Sequence, residues 1–268
     1  MKASSQLLRL ALIQPNQEDK DLLGFLLELY AYLVLVGHIT PNSNSQDRVI
    51  LLDPIITSPI DKQGFKISGI MFGCAQSLFS LIPSISLLGS QRFLEDGYGE
   101  CPTERIDMYR YLRCQILDWH AAEMNYGESK NSKHDLITAA TIYQHSLLIF
   151  LHASFHGYHT VNSESIAEVE ASMKVVLSLL WSLSHASTPS PLLSIMMWPI
   201  IITGSCLREP RLQANLRAEL LESSVTMSIV TRAVQLLDCL WGEHSELAYG
   251  PVGLEIVMKK HGLNMCMS

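Results

Sequence analysis

The chain has 268 residues, 48% of them hydrophobic and only 17% charged, with a formal net charge of −7 at pH 7. A charged fraction below the roughly 25% usual for globular chains implies a substantial core and a surface that is largely covered or paired. The negative balance argues against a phosphate backbone as direct partner, because "ESKNSKHD" (128–135) and "MKKHG" (258–262) hold two lysines each and form no dense basic patch.

In chain order, "MKASSQLLRLALIQPNQ" (1–17) has a lysine near its start, but Arg9 interrupts the apolar run and no small-residue cleavage pattern follows, so it does not read as a signal peptide. "DLLGFLLELYAYLVLVGHI" (21–39) is apolar nearly all round, as a central bundle helix would be. Residues 41–64 are polar and rich in Pro, Asn and Ser, and are expected to form a long, mobile connection. "KISGIMFGCAQSLFSLIPSISLLGSQRFL" (66–94) predicts a helix that Pro83 stops or kinks, then a second short one. After a loop at 95–102, a helix over 103–125 starts at a Thr103 cap, with Tyr109, Leu112, Ile116 and Trp119 on one stripe.

The next helix, 135–157, aligns Leu136, Ala140, Tyr143, Leu147, Phe150 and Leu151 and ends at Gly157. Residues 163–187 follow, with Ser165 and Glu168 in capping-box order and a stripe of Ile166, Val169, Met173, Val176, Leu177 and Leu180. "SPLLSIMMWPIIITGSCLREPRLQ" (190–213) carries 17 residues without a charge between Pro191 and Leu207. As a helix they would reach roughly 25 Å, short of the ~30 Å hydrocarbon layer, and Pro199 in their middle would remove a helical hydrogen bond. The segment reads as a buried core helix. Helices over 209–223, 225–243 and 250–262 close the chain, the second with Val230, Ala233, Leu237, Leu240 and Trp241 on one face. Alternating strand patterns are almost missing. The expectation is an all-α chain: a single multi-helix domain over 1–268, about ten helices in an irregular bundle with a buried central layer, without internal repeats.

The chemistry-bearing residues are sparse. Six cysteines stand at 74, 101, 114, 206, 239 and 266, none in zinc-finger spacing. Cys74, Cys114, Cys206 and Cys239 lie in apolar helical patterns and read as small hydrophobes in a reducing intracellular setting. His145, His152, His156 and His159 fall within a roughly 60° arc of one helix face, with His152 and His156 at the i, i+4 spacing of zinc helices. That face lies opposite the apolar stripe and has no interleaved carboxylate, so it reads as a solvated or partly covered polar face. The rival reading is a metal-binding protein or all-α enzyme with His152, His156 and His159 as ligands. "DWHAAE" (118–123) groups Asp118, His120 and Glu123 on a helix surface without a pocket. Glu164, Glu168, Glu219 and Glu222 read as ordinary exposed helical acids. Ser77 and Ser205 lack a nucleophile elbow, and phosphate-binding glycine loops and paired metal-holding aspartates are absent. No catalytic residue and no cofactor of this chain follows from the sequence. The Met and Trp residues of "SIMMWPII" (194–201) could line a ligand pocket, although core packing accounts for the same residues.

Four stretches together carry a resemblance: "FLLELYAYLVLVGHIT" (25–40), "MFGCAQSLFSLIPSISLL" (71–88), "WPIIITGSC" (198–206) and "GLEIVMKKHGLNMCM" (253–267). In this order they are similar to the C-terminal regulatory region of fungal binuclear-zinc-cluster transcription factors, the fungal-specific transcription factor domain family. The resemblance implies a soluble, all-helical, non-enzymatic regulatory domain placed in the nucleus behind a DNA-binding module, responding to a small-molecule effector or to protein partners of the transcription machinery. The six cysteines match that module's zinc cluster in number only, and its basic linker and coiled coil are missing. The chain is therefore expected to be truncated at its N-terminus or to act as a stand-alone regulatory domain, with no zinc cluster, no specific DNA binding of its own and no membrane partner.

Overall fold

The structure, a computed structural model, describes Leu26, Leu29, Tyr32, Gly37 and Ile39 and residues 75–95, 101–120, 130–157, 163–185, 190–223, 228–245 and 247–263. The expected connection at 41–64, most of the expected helix at 21–39, Cys74 and Glu123 lie outside the described residues. Those that are described contain helices and no strand. They form α1 (Gln76–Phe79), α2 (Ile82–Leu94), α3 (Thr103–Leu117), α4 (Lys130–His156), α5 (Ser163–Ser184), a 3-10 stretch (Pro191–Ile195), α6 (Met197–Ser205), α7 (Pro210–Glu222), α8 (Ser228–Trp241) and α9 (Gly250–His261). Eight of these are α-helices of more than one turn, somewhat below the ten expected of the whole chain.

Local sequence explains most boundaries. Pro83 sits in the first turn of α2, where its missing N–H costs no helical bond, so it starts that helix rather than kinking one. The cap expected at Thr103 is not formed: Pro102 holds the N-cap position, and no side chain caps the helix there. Ser165 does not mark the start of α5 either, since that helix already begins at Ser163. The charge-free segment after Pro191 is not one helix broken in its middle. It is a 3-10 turn capped by Ser190 and then α6, and the break at Met196 puts Pro199 in the first turn of α6, where no intrahelical donor is lost. The longest helical run in the segment is nine residues, too short to cross a membrane.

The break frees the Ile195 carbonyl. Tyr32 Oη donates to it at 2.9 Å and Tyr143 Oη also donates to it, so a helix end inside the core is satisfied by two phenols. Trp198, fully buried, lies stacked near Tyr143 with ring centroids 6.0 Å apart and edge-on to Phe150 at 5.5 Å. Every residue of α6 is buried.

Around this pair of elements the bundle closes. α4 packs against α1, α2, α3, α5, the 3-10 stretch, α6 and α9, while α8 and α9 cover the other side of α6 and α7 lies on α8. α4 and α6 are thus the buried central layer. By length and composition Lys133–His156 could span a membrane, but 72% of that window is buried inside the bundle, so its apolar surface is already covered by protein. Gln144 Nε2 donates to the carbonyls of Ile116 at 2.7 Å and Trp119 at 3.1 Å, fixing the end of α3 to α4.

Candidate functional site

Two places gather polar or accessible chemistry. The first is the histidine face of α4. Because α4 has neighbours all round, this face is not solvated: α3 and α5 lie over it. His145 Nδ1 is 3.4 Å from Ser172 Oγ on α5. His152 is only 3% exposed, with Nδ1 2.7 Å from Tyr109 Oη on α3 and Nε2 3.0 Å from Glu168 Oε2 on α5. Arg113 Nη2 donates to the other oxygen of Glu168 at 2.7 Å. Glu168 is therefore no ordinary exposed acid, but the joint between α3, α4 and α5. A neutral imidazole protonated on Nε2 satisfies both contacts, donating to Glu168 and accepting from the Tyr109 phenol. Burial, aided by His156 and Arg113 and opposed by Glu168, lowers the His152 pKa to about 4. Burial and then the Glu168 charge push Tyr109 up to about 12, so its phenol keeps the proton it donates.

His156 continues the cluster, its ring 6.3 Å from that of His152 and 5.4 Å from that of Tyr109, with burial and Arg92 lowering its pKa. Arg92 on α2, buried at 3% exposure, donates from Nε to the Phe155 carbonyl at 3.2 Å and from Nη1 to Glu95 at 2.6 Å. It occupies one of the last carbonyls of α4, which a helix C-terminus leaves without an internal donor. Among the described residues no three His, Cys, Asp or Glu side chains converge as a metal site. His159 lies outside the described residues. A metal at His152 would have to displace Glu168 or Tyr109, since both ring nitrogens are engaged.

The remaining sequence candidates stay apart. Asp118 and His120 are exposed. Ser77 Oγ accepts the Trp119 indole N–H at 2.9 Å, and Ser205 Oγ donates to the Ile202 carbonyl at 2.7 Å. Cys206 is buried as expected of a small hydrophobe, Cys239 is partly buried, and Cys114 is exposed, because it falls off the narrow Leu112–Ile116 stripe of α3.

The second place is a groove of about 670 Å³ walled by α5, the 3-10 stretch, α6, α7 and α8. Its floor is apolar, from Leu180 on α5, Met197 and Ile200 on α6, Leu216 and Leu220 on α7, and Val230 on α8. Of the "SIMMWPII" residues, core packing therefore claims Met196 and Trp198, both fully buried, whereas Met197 and Ile200 face the groove. The rim carries Trp181, His185, Glu219 and Glu222. Trp181 is 55% exposed and stacks on His185 with centroids 3.6 Å apart, and His185 Nδ1 lies 4.0 Å from Glu219 Oε2. Sequence reasoning reached only the α6 wall of this site, through the methionines of 194–201, and missed the α5, α7 and α8 walls. The available signal was Trp181, a large aromatic standing outside the apolar stripe of its helix.

No curated protein and no solved structure matches the chain. The sequence model described as fungal specific transcription factor domain matches residues 1–267. That match spans nearly the whole chain and agrees with the all-helical architecture, so this protein belongs to the fungal-specific transcription factor domain family.

Proposed function

We propose that this chain is a non-catalytic regulatory domain of a fungal transcription factor, acting in the nucleus, and that it controls transcription by receiving an effector or partner in the groove between α5, α6, α7 and α8. The groove carries the reading. Its volume of about 670 Å³ falls within the roughly 300–1,000 Å³ of ligand-binding clefts, and its apolar floor with a few rim polar groups has their composition. DNA contact belongs to another module in this reading, and neither a catalytic side chain nor a membrane takes part. Occupancy acts by population shift: a ligand that prefers one packing of α5 and α7 about the groove favours that packing by its differential affinity.

The test is the melting temperature of the full chain against a panel of apolar small molecules and amphipathic peptides. A binder at a hundred times its Kd adds about 2.7 kcal/mol, which for a chain of this size is a rise of roughly 5–10 °C. Leu177, half-buried in the wall, offers the control, because Leu177→Trp fills the groove and abolishes the rise. If no member of the panel shifts the melt, or if Leu177→Trp leaves every shift in place, the groove is not the regulatory site.

A further inference from the structure

Resting on that reading of the groove, we infer that its occupant is a short amphipathic helix of a partner protein whose apolar anchors are flanked by lysine or arginine. Shape gives the first argument. The lining residues along α7 and its C-cap run from Leu212 to Ser223 and those along α5 and the residue after it from Leu177 to His185, which at 1.5 Å per residue makes a trough about 12–16 Å long. That is the length of about two to three helical turns, enough for anchors at i, i+4 and i+7 set between two wall helices.

Charge gives the second. Glu219 and Glu222 stand one turn apart on α7, and no lysine or arginine is among the lining residues. The groove also takes in the ends of two helices: Ser184 closes α5, and Glu222 closes α7 with Ser223 as its C-cap. Each helix C-terminus contributes roughly half a negative charge, so two carboxylates and two dipole ends point the same way. The chain's net charge of −7 extends that field and steers a basic partner toward it. Trp181 supplies the third argument. An indole left 55% exposed at the rim offers an apolar anchor for the incoming helix and a π face for a lysine or arginine.

A displayed library of random peptides of roughly four turns, selected on the full chain and counter-selected on a Trp181→Ser/Glu219→Gln/Glu222→Gln variant, tests this without presupposing the partner. All three positions are at the surface, and the variant's melting temperature checks its fold. The expected winners have apolar residues spaced by three or four with flanking Lys or Arg. A synthetic winner, followed by fluorescence anisotropy, should lose about tenfold in affinity on Glu219→Gln/Glu222→Gln alone and weaken as salt rises. Winners that are neutral or acidic, or an affinity unmoved by Glu219→Gln/Glu222→Gln, overturn the basic-helix inference. If no peptide is enriched while a small apolar molecule raises the melting temperature and Leu177→Trp removes the rise, the inference falls and the groove reading stands. If neither peptides nor small molecules bind, both fall.

Discussion

At the scale of single residues, His152 is where burial and hydrogen bonding oppose each other most directly. An imidazole ordinarily titrates near 6.5, and burial among α3, α4 and α5 takes this one down to about 4 despite the Glu168 carboxylate at 3.0 Å. The sign follows from linkage. Below pH 6.5 the unfolded chain takes up a proton that the native His152 refuses, so stability is full above that pH and falls as the pH drops toward 4. A shift of this size corresponds to about 3 kcal/mol at the bottom of the window, as an upper bound. Burial lowers His145 and His156 in the same direction, which adds to the slope. Urea denaturation at pH 7.5, 6.5 and 5.5 measures it, above the range where carboxylates dominate. In His152→Gln the amide can still accept from Tyr109 and donate to Glu168. The variant is expected to lose about 1–2 kcal/mol at neutral pH and to show a flatter decline below 6.5. A decline as steep as that of the parent would remove His152 as its source.

At the scale of elements, the approach of α6, α8 and α9 depends on two glycines that differ in what surrounds them. A Cβ on Gly253 would lie 2.6 Å from the backbone carbonyl carbon of Ala248, which cannot move aside without unseating the start of α9. On Gly204 it would lie 2.9 Å from Leu237 Cδ1, the far end of a side chain that can turn. Both are helical, so alanine contributes roughly 0.5–1 kcal/mol of propensity against the clash. Gly253→Ala is expected to cost about 2–4 kcal/mol and Gly204→Ala about 1 kcal/mol or less, read from urea midpoints at unchanged slope. Equal losses would mean the backbone at Ala248 yields. Elements like these also show how far a sequence can be read. The stripes of α3 and α8 are legible because each helix buries one side, as Leu112 and Ile116 or Ala233 and Leu237 show. α4 is legible only in part. A helix covered on all sides loses its periodic signal, so the polar side of its pattern resembles a solvent face although α3 and α5 cover it. The helices expected from 103 and 163 start there, but the caps expected at Thr103 and Ser165 fail for a local reason. A cap is decided by one or two residues: Pro102 holds the N-cap of α3, and Ser165 lies inside α5, which already begins at Ser163. Only the α6 wall of the groove is legible, through the 194–201 stretch, because the floor residues lie on four separate helices and each alone has a core residue's pattern.

At the scale of the whole molecule, the arrangement of helices around α4 decides how regulation and stability are coupled. Helices α1, α2, α3, α5, α6 and α9 all contact α4, whereas α8 packs on α6 and α9, and α7 on α8. Leu147 sits near its midpoint, fully buried. Leu147→Ala removes side-chain volume where no neighbour can collapse without shifting a helix, and a loss of about 2–5 kcal/mol is expected. For a chain of this size that lowers the melting temperature by roughly 5–15 °C. The more telling readout is coincidence. Trp119 bonds Ser77 beside Phe79 on one side of α4, while Trp241 bonds the Gly204 carbonyl of α6 on the other, 3.0 Å away. Tryptophan fluorescence therefore samples both sides, and far-UV circular dichroism samples all helices. If α4 unites them, both signals in Leu147→Ala move together to one lower transition. A fluorescence transition that splits, or that stays at the parent temperature while the helical signal moves, would mean the sides of α4 unfold separately. The coupling matters for the groove, because α5 walls it and also carries Glu168 onto His152 of α4. In a single cooperative unit, the ligand proposed for the groove would, by holding α5 against α7, stabilise the α3–α4–α5 joint as well, and its occupancy would be felt as far away as Tyr109.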